Sequence, residues 1–225
     1  MEALRPNEGK FAAFIVEDHP MFREQVTQLI NRETDMFVCG EADNVADALR
    51  TLETNPPDIV ILDITLKGRS GLELLKDLKA RAIDVPALVL SMHDELLYAE
   101  RVLRAGGRGY ITKHETSKEL MTAIRTVLRG EVYLGKQMSS RVLENFSSGA
   151  SPQAGVSQLT DRELEVFEMI GQGRPTRDIC ARLNLGASTV DTYRARIKTK
   201  LNLDNAAALT HEAIRWVSGH EAAVG

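Results

Sequence analysis

The sequence predicts a doubly wound α/β domain, built on a five-stranded parallel sheet, followed by a second, all-α domain of four helices. Three observations predict it. Residues 10–130 alternate short apolar runs with amphipathic stretches. The segment SSGASPQAGV at 147–156 is small, polar and flexible by composition, as a linker is. Beyond it only helical patterns occur, and 225 residues are comfortable for two domains.

Five runs read as strands: FAAFIV (11–16), DMFVCGEA (35–42), DIVILDI (58–64), ALVLSM (87–92) and GYIT (109–112). Their near-continuous apolar character suits a sheet buried on both faces. Residues 20–33, 45–55, 70–81, 94–105 and 117–129 carry apolar side chains at helical spacing, as Leu72, Leu75 and Leu78 do. The first domain thus spans 10–130. A linker with a short helix at 137–146 fills 131–156, and the second domain spans 157–222.

In the second domain, 159–171 contains Thr160 with Glu163 three residues on, the pattern of a capping box. Residues 176–183 form a short helix with Pro175 at or just before its first turn. A turn at 184–187 contains Gly186. A longer helix spans 188–201 with Ser188 as its N-cap, and a last one spans 205–217. A tight turn between the second and third helices is the helix-turn-helix arrangement.

Composition removes several classes. Apolar residues make up 43%, enough for two cores. No apolar run reaches the roughly 18 residues of a membrane span. The N-terminus MEALRPNEGK has no apolar signal stretch, so a cytoplasmic location is expected. Cys39 and Cys180 are too few for a disulfide framework and are expected to be buried thiols. The five histidines show no metal-ligand spacing. Net charge is −4, all of it in residues 1–150. Residues 174–200 hold Arg174, Arg177, Arg182, Arg194, Arg196, Lys198 and Lys200 against Asp178 and Asp191. That local excess suits a polyanion, although a solvated helix face would carry the same charges.

In a parallel sheet the strand ends share one edge. Glu17 and Asp18 follow the first strand and Asp63 lies near the end of the third, so three carboxylates converge. Their mutual repulsion calls for a divalent cation, and oxygen-only ligands point to Mg²⁺ or Mn²⁺. The ends of the next two strands supply the Ser91 hydroxyl and the Lys113 ammonium. Together these residues suit phosphoryl transfer to the Asp63 carboxylate, with Ser91, Lys113 and the metal offsetting charge. The domain would assist its own modification and turn over no free metabolite, so it is not expected to be a conventional enzyme. No further constellation suggests a phosphatase.

In the helix at 188–201, Val190, Ile197 and Leu201 share the core side with Tyr193 beside them. The opposite face carries Ser188, Thr192, Ala195 and Thr199, flanked by Asp191 and Arg196, and Thr189 joins them among the residues expected to meet DNA. Small polar side chains of this kind fit a DNA major groove. Base reading falls to the first turns, and phosphate contact to Arg194, Arg196, Lys198 and Lys200. The competing reading is a phosphotransfer or protein-interaction module whose C-terminal helices bind protein rather than DNA.

VEDHP (16–20), VILDITLKGRSGLELL (60–75), ALVLSMHDE (87–95) and AGGRGYITK (105–113) resemble receiver domains, flavodoxin-like in fold, of bacterial two-component response regulators. LTDRELEVFEMIGQG (159–173) and RDICARLNLGASTVDTYRARIKTKLNL (177–203) resemble the LuxR-type helix-turn-helix. The whole chain is similar to NarL/FixJ-type transcriptional regulators. The resemblance implies that Asp63 is phosphorylated by a histidine kinase or a small acyl phosphate. It implies Mg²⁺ held by Asp18, Asp63, the Thr65 backbone carbonyl and, through water, Glu17. Ser91 would turn toward the phosphate and Tyr110 would swing inward with it. The last helix would pair the DNA-binding domains as a homodimer, and Ala206, Leu209, Ala213 and Ile214 give it an apolar stripe; Trp216, by residue type, reads as core ahead of interface. Inverted half-sites about one DNA turn apart would follow. The sequence departs from the family at Glu17, where aspartate is common, at Gly107 (alanine) and at His114 (proline in some relatives). It departs again at Pro175, in place of a polar cap, and at Asp191, where many relatives carry lysine.

Overall fold

The structure is a computed structural model, and it describes residues 9–92, 95–135, 138 and 155–221. All of the expected helix at 137–146 but residue 138, and most of the expected linker, lie outside the described residues. The chain divides into two compact units, Met1–Arg141 and Val142–Gly225.

The first unit alternates β1 (Phe11–Val16), α1 (Pro20–Asn31), β2 (Met36–Ala42), α2 (Val45–Thr54), β3 (Ile59–Leu62), α3 (Gly71–Ala80), β4 (Ala87–Ser91), α4 (Glu95–Ala105), β5 (Gly109–Thr112) and α5 (Ser117–Leu128). The strands are parallel in the order β2-β1-β3-β4-β5. From β1 the chain moves outward to β2, then crosses to β3 on the other side. That reversal opens a crevice at the carboxyl ends of β1 and β3. Register aligns those ends, with Val16 opposite Leu62 and Ser91 opposite Thr112.

Alternation of side chains buries both faces. Ile15, Ile59, Ile61, Leu88, Leu90 and Ile111 join Val26 and Ile30 of α1 and Ile124 and Val127 of α5 in one core. Phe14, Val60, Leu62 and Val89, one step out of phase, are equally buried. Gly107 fits closely: a Cβ there would stand 2.4 Å from Val102 Cγ1. The alanine common in relatives would need Val102 to move. No described peptide bond is cis, so His114 follows Lys113 through a trans bond.

Two expectations change. β2 pairs only with β1 at the sheet edge, and Cys39 in its middle is exposed. Cys180 is half-buried, because Ile179 and Leu183 take the core side of its helix. Neither thiol is the buried one expected. A further contact had no sequence signal. Tyr133, beyond α5, donates its N–H to the Arg108 carbonyl and accepts from Tyr110 N–H, each at 3.0 Å. This parallel bridge lies along the outer side of β5.

Among the described residues the second unit holds a 3₁₀ turn, Val156–Gln158, then α6 (Asp161–Gly171), α7 (Thr176–Leu183), α8 (Ala187–Leu201) and α9 (Ala206–Glu221). The Thr160–Glu163 capping box closes the start of α6 as the pattern predicts. Pro175 is the N-cap residue of α7 and offers no side-chain hydrogen bond. Its carbonyl accepts from Asp178 N–H at 2.9 Å. Asn184, with φ of 51°, takes the left-handed position that ends α7. The turn closes early enough that Gly186, not Ser188, is the N-cap of α8. Leu164, Phe167, Ile170, Ile179, Leu183, Val190, Ile197, Leu209 and Ala213 form the core. Gly171 admits α9 closely, since a Cβ would lie 2.4 Å from the Ala213 carbonyl oxygen. Trp216 stacks edge-on against Phe167 at 5.6 Å, in line with its expected core role.

Candidate functional site

The crevice gathers the residues that the strand ends predict. Glu17 and Asp18 leave β1, Asp63 leaves β3, Ser91 ends β4 and Lys113 leaves β5. Backbone bonds fix the spacing: Asp63 N–H donates to the Val16 carbonyl at 2.9 Å and Lys113 N–H to the Ser91 carbonyl at 2.8 Å. All three carboxylates are buried, at 4–5% exposure, and Ser91 is fully buried. Lys113 Nζ lies 2.5 Å from Glu17 Oε2 and 2.8 Å from Asp63 Oδ2. It also sits 4.5 Å over the Phe22 ring. Asp63 Oδ1 accepts from Thr65 N–H at 3.2 Å.

Charge in this crevice is unbalanced. Burial pushes the Glu17 carboxyl above the ordinary carboxylate range, the neighbouring Asp63 charge adds to that, and Lys113 opposes it. One ammonium cannot offset three buried carboxylates. Glu17, Asp18, His19 and Asp63 each bring a ligand atom within 4.8 Å of the others. This donor set, mostly carboxylate oxygen, fits a hard divalent cation.

His19 joins the cluster without having been predicted. Its Nδ1 is 3.0 Å from Asp18 Oδ1 and 3.3 Å from Glu17 Oε1, while its side chain stays 54% exposed. Its place next to the acidic pair was the available signal. Gly71 was also missed. A Cβ there would stand 2.1 Å from the Asp63 carbonyl oxygen. Gly71 N–H donates to the Ile64 carbonyl at 2.8 Å, which folds the loop after β3 back onto α3. Ser70, the N-cap of α3, is buried beneath it. Tyr110, predicted to move inward, is fully buried here.

In the second unit, α8 presents Ser188, Thr189, Asp191, Thr192, Ala195, Arg196 and Thr199 to solvent, while Val190 and Ile197 are buried. The face predicted to be open is open. Arg194 and Lys198 are half-buried, and Arg194 lies 3.8 Å from Asp191. Lys200 points inward instead: its ammonium is 2.6 Å from the buried Glu163 carboxylate. The expected apolar stripe on α9 is divided. Leu209 and Ala213 are buried within the unit, because α6 takes that face, whereas Ala206 and Ile214 are exposed.

Residues 13–125 match the family described as the response regulator receiver domain, and residues 157–213 match the bacterial regulatory proteins of the luxR family. Response regulator UvrY of Escherichia coli strain K12 is 31% identical over 201 residues, covering 89% of this chain and 92% of its own. Oxygen regulatory protein NreC of Staphylococcus carnosus is 30% identical, covering 89% and 95%. The fold is shared with RcsB of Salmonella enterica serovar Typhimurium, solved bound to the promoter rprA with a TM-score of 0.60. That likeness is 22% in sequence, covering 90% of this chain and 97% of RcsB. With an acidic crevice in one unit and an open basic helix in the other, the chain belongs to the DNA-binding response regulators of the NarL/FixJ type, which join a receiver to a LuxR-type helix-turn-helix.

Proposed function

We propose that Asp63 is the phosphoacceptor, that a histidine kinase supplies the phosphoryl group, and that phosphorylation governs how α8 engages promoter DNA. One observation carries the reading: the Asp63 carboxylate is buried among charges, with Lys113 Nζ 2.8 Å from one oxygen and the Thr65 N–H on the other. An Asp63 oxygen attacks phosphorus, a mixed anhydride forms, and the phosphorus–nitrogen bond of the donor histidine breaks with its electron pair left on the imidazole. Lys113 is placed to follow the transferred oxygens, and the Ser91 hydroxyl to donate to them. Glu17, Asp18, Asp63 and the Thr65 carbonyl would hold Mg²⁺, which when bound shields the carboxylates and the phosphoryl oxygens from one another. Tyr110, on the strand that ends beside Lys113, reports the state of the site.

In the second unit, Ser188, Thr189, Asp191, Thr192, Ala195 and Thr199 face the major groove, and Arg194, Arg196 and Lys198 approach phosphates. Asp191 is suited to accept from a cytosine amino group. A homodimer on inverted half-sites, working in the cytoplasm, completes the reading, with the exposed side of α9 around Ile214 as its contact.

The test has two arms. Wild-type protein with Mg²⁺ and a labelled acyl phosphate takes up label on Asp63, and D63N takes up none; equal labelling of the two proteins removes Asp63 from the role. Binding to duplex DNA weakens steeply as salt rises. An absence of DNA affinity at low salt, with retention of a protein partner, would favour the interaction-module reading.

A further inference from the structure

Lys200 stands in the basic stretch of the recognition helix, and by composition it is one of the cations available to DNA. Its geometry gives it another task. The ammonium lies 2.6 Å from Glu163 Oε2 and 3.3 Å from the Gln158 carbonyl oxygen. Glu163 is 2% exposed and sits in the first turn of α6. The same carboxylate oxygen accepts from Thr160 N–H at 2.8 Å, so the capping box of α6 and the end of α8 share one acceptor. Burial pushes the Glu163 carboxyl up, but the Lys200 and Thr160 hydrogen bonds outweigh it and hold it below the ordinary value.

The position of this contact matters more than its strength. Lys200 is one residue from the end of α8, whereas the open polar face begins at Ser188 in the first turn. Twelve residues of helix separate them by about 18 Å. A tilt of about 5° at the Lys200 end moves the first turn by roughly 1.5 Å, enough to break a base-edge hydrogen bond. Val190 and Ile197 also fix α8, buried in the core, and apolar contacts of that kind can slide as well as turn. A charged hydrogen bond to a buried carboxylate is directional.

We propose that Lys200 is a positioning residue for DNA recognition: held between Glu163 and the Gln158 carbonyl, it sets the angle at which α8 enters the groove, and it does not contact phosphate. The inference rests on the DNA-binding reading above.

Full-length protein is the material, and the probe is a duplex enriched from a random library by the wild-type protein, with an unrelated duplex as control. Affinities are read across a salt series at a temperature where circular dichroism shows every variant folded. K200M is expected to lose about 10-fold on the enriched duplex and about 2-fold or less on the control, a fall in specificity of the size of one mismatched base pair. Its slope of log affinity against log salt stays that of the wild type. E163Q, which keeps the capping hydrogen bonds because glutamine serves the same position, weakens the enriched duplex too, although it removes a negative charge. K200R, able to reach the same carboxylate, recovers most of the loss. A slope shallower by about 0.9 in K200M, with equal losses on both duplexes, marks a phosphate contact and overturns the proposal. So does tighter binding by E163Q, which would mean that Glu163 competes with DNA for Lys200. Wild-type protein that enriches no duplex sinks the DNA-binding reading itself, an outcome distinct from either.

Discussion

A single missing atom shapes the loop that follows Asp63, the proposed phosphoacceptor. Gly71 comes so close to the Asp63 carbonyl that a Cβ would stand 2.1 Å from the oxygen and 3.1 Å from Ile64 Cα. Both neighbours are backbone, and neither can swing aside as a side-chain tip would. G71A therefore has to push β3 and α3 apart. It is expected to cost about 1–3 kcal/mol in a urea unfolding series, the usual scale of overpacking, and to slow acyl-phosphate labelling of Asp63. A variant with wild-type midpoint and wild-type labelling rate would show that the loop is looser than this contact implies. His19 acts on the same scale, since its Nδ1 bridges toward two of the three carboxylates. Nothing in its spacing from other histidines marks it out, because its partners are the acids immediately before it.

Elements were legible in the sequence where one physical rule governs them. Buried parallel strands leave apolar runs, and β1, β3, β4 and β5 lie within the predicted runs. The Thr160–Glu163 box places the start of α6. The convergence of Glu17, Asp18, Asp63, Ser91 and Lys113 was readable too, because parallel strands put their ends on one edge. What was not legible depends on which partner covers a face. The apolar stripe of α9 could serve a core or a partner subunit, and α6 settles it for Leu209 and Ala213. Cys39 sits in an apolar segment, but β2 has a neighbour on one side only. The end of α7 turned on Asn184 in the left-handed region, inside a turn in which the sequence singled out only Gly186. At this scale the Lys200–Glu163 contact has a pH signature. The Glu163 carboxyl is depressed below its ordinary 4.5, so its stabilisation is present above that value and is lost as pH falls through the lower folded value. The thermal midpoint of the C-terminal unit should fall more steeply in wild type than in E163Q between about pH 5 and pH 3. Parallel profiles would remove the linkage.

The whole molecule joins a unit whose chemistry lies in a closed crevice to one whose chemistry lies on an open face. In the first, Glu17, Asp18, Asp63 and Ser91 are all buried, so an incoming group meets fixed charges with little competing water. In the second, the predicted groove-facing side chains are exposed and ready for a partner. Between the two functions runs the chain beyond α5. Its first stretch is not spacer, because Tyr133 takes up the Tyr110 N–H and the Arg108 carbonyl, and Gly135 N–H donates to Glu95 at 2.5 Å. Anyone preparing the N-terminal half as a separate fragment faces a choice of where to cut. A fragment ending at residue 129 stops where α5 stops and strips the outer side of β5. One ending at 135 keeps all three hydrogen bonds and should be more stable by about 1–3 kcal/mol in urea. The shorter piece should also self-associate on storage, as a strand with a bare flank offers its backbone to the next copy. Equal stability of the two fragments would show that the bridge merely follows the chain.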